Sequence, residues 1–116
     1  MSKAIDFKKL PINEYIRLYA LLANTHRIRI LFALYHDPPS QETISLVQLK
    51  EKLEIRHTLL AHHLKILLQG GLVETPSAKQ GTYRLTEEGQ KTVKGMIKEL
   101  KKNKRRTHIP KAYRKQ

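Results

Sequence analysis

The residues of this chain best suited to chemistry lie between Arg56 and Gln69, where Arg56, His57, Thr58, His62, His63, Lys65 and Gln69 recur with Leu59 among them. Their types suit recognition rather than bond making. Arg and Lys neutralise phosphates, while Thr, His and Gln exchange hydrogen bonds with base edges; Leu59 offers only an apolar contact, for instance to a thymine methyl. Two further basic sets accompany them. Lys79 and Arg84 flank a turn and are placed to straddle a phosphate backbone or enter a minor groove. Lys101, Lys102, Lys104, Arg105 and Arg106 form a dense cationic run that continues to Lys111, Arg114 and Lys115. The plainer readings are a solvated helix face, a charged hairpin tip that aids solubility, and a solubilising or nuclear-import terminus. The lopsided charge favours phosphate contact.

Other chemistries find no footing. The chain has no cysteine, so it offers no disulfide, thiolate ligand or thiol switch. There is no paired-carboxylate constellation, Gly-rich phosphate loop or nucleophile elbow, and the expectation is a protein that is not an enzyme and needs no cofactor. His26, His57, His62 and His63 invite a metal, but the side chains of adjacent His62 and His63 diverge by about 100° on a helix, without a carboxylate partner. No metal site is expected. His63 has a second reading, at the edge of the core with one ring nitrogen hydrogen-bonded.

Charge narrows the partner. The 116 residues carry a formal +13, which points to a large anion. Residues 1–90 hold 12 Lys and Arg against 9 Asp and Glu, whereas residues 91–116 hold 11 against Glu99 alone. The body is nearly balanced and the end is not. Length allows one domain, and no run approaches the roughly 18 apolar residues of a membrane span, so a soluble cytoplasmic protein without a membrane partner is expected.

These side chains need a scaffold, and its elements follow from periodicity. Residues 1–12 read as a flexible arm. Asn13 can cap a helix over 14–23, in which Tyr15, Leu18, Tyr19 and Leu22 form a stripe and Ile16, Ala20 and Leu21 extend the apolar surface further. So greasy a helix calls for a second surface, such as a dimer partner. Asn24-Thr25 caps a core helix over 26–36, with Ile28, Leu31, Phe32 and Tyr35 on one stripe and Ile30, Ala33 and Leu34 on its flank. Asp37-Pro38-Pro39-Ser40 ends it. Thr43-Ile44 is a candidate strand, and Ser45 and Gln48 have capping-box spacing for a helix over 45–53, with Leu46, Leu49 and Leu53 facing inward.

A helix over 57–69 follows a short corner. Leu60, Leu64, Leu67 and Leu68 share its inner side, with Thr58, His62, Lys65 and Gln69 outside. Gly70-Gly71 stops it with residues able to take positive φ. Extended runs over 73–76 and 82–85 flank a loop closed by Gly81, with Lys79 at its tip. Thr86 can cap a last helix over 87–102, striped by Val93, Met96, Ile97 and Leu100, with Glu87 and Glu88 at its positive end. Gly95 allows close helix approach or is simply tolerated. Residues 103–116 lack apolar periodicity and are expected to be disordered.

Two short helices with a tight corner, the second leading into a hairpin, make a winged helix-turn-helix over 13–102, mainly α with a small β wing, whose usual partner is the DNA major groove. The residues also resemble a known family. Leu22-Ala23-Asn24-Thr25-His26-Arg27-Ile28-Arg29-Ile30-Leu31 is similar to the entry to the second helix of ArsR-type winged-helix repressors. His62-His63-Leu64-Lys65-Ile66-Leu67, Gly71-Leu72-Val73 and Tyr83-Arg84-Leu85-Thr86 resemble that family's recognition helix, its exit and its second wing strand; MarR-type repressors share the last two. The resemblance implies a homodimer built on the first and last helices, here 14–23 and 87–102, binding a pseudo-palindromic double-stranded DNA operator and repressing transcription. Two departures matter. The metal ligands of the family's sensors have no counterpart in 45–53 or 87–100, and the recognition helix opens with Arg56, His57, Leu59 and Ala61 where small hydroxyl residues are common. Alternatives are a sequence-tolerant architectural DNA-coating protein and an RNA-binding or ribosome-associated module. A small-molecule effector is left open.

Overall fold

The computed structural model describes residues 2–76 and 81–106, of which 104–106 are described as helix backbone only. Five helices and three short strands follow in the order α1 (Ile12–Leu22), α2 (Thr25–Leu34), β1 (Ile44–Ser45), α3 (Leu46–Leu53), α4 (His57–Gln69), β2 (Val73–Glu74), β3 (Thr82–Leu85) and α5 (Glu87–Arg106). The fold is mainly α with a small antiparallel wing, as the sequence predicts. Ile30, Leu31, Leu49, Leu60, Leu64, Leu67, Leu72 and Val93 are each at most 1% exposed and form one core between α2, α3, α4, the base of the wing and α5.

Local rules explain most boundaries. Asn24 is extended and its side chain accepts from the Arg27 N–H at 3.1 Å, the cap expected of α2. Ser45 and Gln48 complete a reciprocal capping box, with Ser45 Oγ accepting from the Gln48 N–H at 3.1 Å and Gln48 Oε1 from the Ser45 N–H at 2.9 Å. At the start of α5, Thr86 Oγ1 accepts from the Gly89 N–H at 3.0 Å and donates to the Gly71 carbonyl at 2.6 Å. One hydroxyl thus caps the last helix and fastens it to the exit of α4. Gly89 makes that seam possible: a Cβ there would lie 2.1 Å from the Leu72 carbonyl oxygen.

Several expectations need correction. The arm over 1–12 contains a 3₁₀ turn at Phe7–Lys9 capped by Asp6, and α1 begins at Ile12, not 14. Pro11, not Asn13, precedes it, because a residue without an N–H loses nothing where the first helical N–H groups have no partner anyway. The second helix stops at Leu34 rather than 36, and its most buried residues are Ile30, Leu31 and Leu34, whereas Ile28, Phe32 and Tyr35 are half-buried. Both its sides are apolar, so the stripe alone did not say which faces the core. Gly70 closes α4 in right-handed geometry, and of the two glycines Gly71 alone takes positive φ (79°). The first wing strand is limited to 73–74, and the short strand upstream lies at Ile44–Ser45 instead of Thr43-Ile44. It pairs Ile44 with Tyr83 and Ser45 with Thr82, making a three-stranded sheet in the order β1-β3-β2. The last helix runs to Arg106 rather than 102, since straight-chain cations favour helix and stabilise its negative end. Residues 103–106 therefore belong to it, and residues 107–116 lie outside the described residues.

Candidate nucleic-acid interface

The corner between α3 and α4 is tight because Glu54 takes the left-handed conformation (φ 53°, ψ 44°), unusual for a side chain with a Cβ. Arg29 steadies the corner from α2, donating from Nη2 to the Leu53 carbonyl at 2.9 Å. Beyond it, Arg56 occupies the N-cap position of α4 without any side-chain cap. The first N–H groups of α4 therefore stay available beside an exposed guanidinium, at the helix end that carries partial positive charge.

The inner and outer sides of α4 separate cleanly. Leu60, Leu64 and Leu67 are at most 1% exposed, while Arg56, His57, Thr58, His62, Lys65 and Gln69 are all exposed. Thr58, His62, Lys65 and Gln69 follow the helical repeat along one face, and α4 contains no Asp or Glu. Leu59 and Ile66 are half-buried at the margins. The outward surface is thus polar, neutral to cationic and rich in donors.

His63 departs from the contact set in which the sequence placed it. It is 5% exposed and faces inward, with Nδ1 3.2 Å from Nη1 of Arg27. One helical step separates it from His62, and that step carries it past the boundary into the core. Its second reading, a core-edge histidine with one bonded nitrogen, describes what is found. Burial first, then the charge of Arg27 and of His62 and His26, hold its pKa below the ordinary value. The rings of His62 and His26 lie 5.1 and 5.4 Å from that of His63, a gathering that sequence spacing did not reveal. Among the described residues no group of three or more His, Asp or Glu is arranged to hold a metal ion.

On the wing, Arg84 is half-buried and paired with Glu74 at 2.8 Å, its cross-strand neighbour in the β2–β3 register. Its guanidinium is engaged on its own hairpin. Lys79 lies outside the described residues. Lys101 and Lys102 are exposed on α5; Lys104, Arg105 and Arg106 continue its backbone. The role of Arg27 was missed by sequence reasoning because its contact with His63 spans 36 positions, and no local pattern marks such a pair.

No protein-family model and no curated protein matches this chain. Solved structures do. Reduced HlyU from Vibrio cholerae superposes with a TM-score of 0.66 at 24% identity, over 81% of this chain and 96% of that one. The transcriptional repressor BigR from Xylella fastidiosa gives 0.66 at 24% identity over 90% and 97%. A homodimeric winged helix-turn-helix DNA-binding domain from Mycobacterium bovis, described as a possible ArsR-family regulator, gives 0.65 at 21% identity over 94% and 99%. The architecture is a winged helix-turn-helix similar to that of these solved structures.

Proposed function

We propose that this chain is a sequence-specific double-stranded DNA-binding transcriptional regulator, acting as a homodimer and repressing by occupying a promoter. The observation that carries the reading is the outer face of α4. Arg56, His57, Thr58, His62, Lys65 and Gln69 are exposed together on a helix whose opposite face is anchored in the core. α4 enters the major groove, where Thr58, His62 and Gln69 meet base edges while Arg56, His57 and Lys65 contact phosphates. A phosphate at the uncapped start of α4 supplies the missing acceptor. Lys79 and, when released by Glu74, Arg84 follow the flanking backbone, and the basic segment from Lys101 through residue 116 adds phosphate contacts. No cofactor enters this mechanism.

The dimer reading is supported by apolar side chains left uncovered on α1 and at the far end of α5. Ile16 is 60% exposed, Tyr15 and Tyr19 are similar, and Leu100 is 54% exposed. Between these helices lies an open hollow of about 670 Å³ lined by Leu18, Ile28, Phe32, Met96 and Leu100. A second copy would cover it and set two recognition helices against half-sites about 34–36 Å apart.

Selection of bound duplexes from a random pool at two salt concentrations, with double-stranded RNA as competitor, tests the assignment. Discrete enriched sites with two-fold symmetry are expected. Uniform coating would replace the reading with an architectural protein, and preference for RNA would replace it with an RNA-binding module. Deleting residues 103–116, which removes six cations after Asn103, should flatten the logarithmic salt slope by roughly 5 per chain.

A further inference from the structure

Arg27 joins two helices that are far apart in the chain. Its Nε donates to the Leu21 carbonyl at 2.7 Å and its Nη2 to the Ala20 carbonyl at 3.1 Å, both at the C-terminal end of α1, where carbonyls lack helical partners. Its Nη1 meets His63 Nδ1 on α4 at 3.2 Å. A guanidinium can only donate, so Nδ1 is the acceptor and the ring is neutral, with its hydrogen on Nε2. The end of α4 also lies close to α1, since a Cβ at its C-cap Gly70 would lie 2.5 Å from Leu21 Cδ1. The helix with the uncovered apolar face is therefore linked, through Arg27, to the helix with the exposed polar one.

Resting on the DNA-binding reading above, we propose that Arg27 is a positioning residue for the contact face of α4, that it acts through neutral His63, and that protonation of this ring weakens DNA binding. A proton on Nδ1 would set a donor against a donor beside a fixed cation. The charged and titratable groups acting on the ring are Arg27 and His26 from α2 and His62 from α4 itself, while α1 contributes backbone carbonyls through Arg27. None is a carboxylate that would welcome the new charge. Acid therefore favours the arrangement in which the contact between Arg27 and His63 is broken and α4 is no longer held against α1. In a chain without cysteine, histidine is the side chain suited to switching charge near neutrality.

Linkage supplies a test on His63 itself. A seated α4 requires neutral His63, so duplex binding should lower the pKa of that ring. Histidine-ring NMR titrations of the full chain, free and bound to a duplex taken from the random-pool selection, read it. His63→Asn keeps an acceptor near the place of Nδ1 but cannot take the proton. Between about pH 7.5 and about pH 5.5, wild-type affinity should fall several-fold more than that of this variant, the full tenfold that one pKa unit of difference represents being reached only below both pKa values. Arg27→Gln should remove the difference between chains with and without His63→Asn. Parallel pH profiles, or a duplex that binds and leaves the His63 titration unmoved, would overturn the proposal while leaving DNA binding intact. No duplex binding at any pH would overturn the DNA reading and this proposal with it. Should His63→Asn fail to fold by circular dichroism, the wild-type ring titration decides alone.

Discussion

Leu64 and Ile16 are aliphatic residues in the middle of helices, yet Leu64 is 1% exposed and Ile16 is 60% exposed. The contrast divides the molecule. In α3, α4 and the wing base, the large apolar residues other than Val47, which is 62% exposed, find partners within the chain and leave a largely polar exterior. In α1 and the distal part of α5, equally apolar residues face outward. Val93 is fully buried, but Leu100, two helical turns further along the same stripe, is 54% exposed. One half is completed by its own chain, and the other leaves apolar surface uncovered, the surface that the proposed dimer would bury.

Substitutions in the two halves should separate these roles. Leu64→Ala should destabilise the fold by about 2–5 kcal/mol, through lost apolar transfer and an unfilled cavity. Ile16→Ala should change the unfolding free energy of the isolated subunit by no more than about 0.5 kcal/mol, yet shift sedimentation toward monomer. Equal effects of both changes in denaturant titrations on dilute protein would erase the distinction.

Next in size is Gly89→Ala, which drives a methyl group into the Leu72 carbonyl. The wing and α5 must move apart, at about 1–3 kcal/mol, read as a lowered urea midpoint. Gly95→Ala sharpens the comparison from the other side. A Cβ at Gly95 meets nothing within 4 Å, so the subunit should gain about 1 kcal/mol from better helix propensity. Weakened dimerisation in the same variant would place Gly95 at the seam.

The smallest effect concerns pH. His63 has its pKa lowered by folding, so the unfolded chain binds its proton more readily. Above the ordinary value of about 6.5 both states are neutral and the residue costs nothing; as pH falls through that value toward the lower folded pKa, stability is lost. Thermal melts across this range should show the loss in wild type and its reduction in His63→Asn.

How much of this was legible in advance follows from the range of each interaction. The Ser45–Gln48 capping box and the leucine repeat of α4 each act over a few residues, and the exposed Thr58, His62, Lys65 and Gln69 are where that repeat puts them. His63 was harder. A residue one position beyond an exposed histidine lies near the boundary between the faces, and which side it joins depends on what waits there. The two apolar sides of α2 posed the same difficulty, since both are covered, one by the core and the other partly by α1 and α5.

The sequence by itself determined the order and kind of the elements, the corner before α4 and the concentration of charge near the end of the chain, because periodicity, capping and composition are properties of neighbouring residues. Tertiary structure alone decided that His63 turns inward to Arg27, that Arg84 is held by Glu74, and that Gly89 must be small to pass the Leu72 carbonyl. Those outcomes depend on which surfaces meet when distant segments pack, and no spacing along a chain encodes the distance between two atoms brought together by a third element.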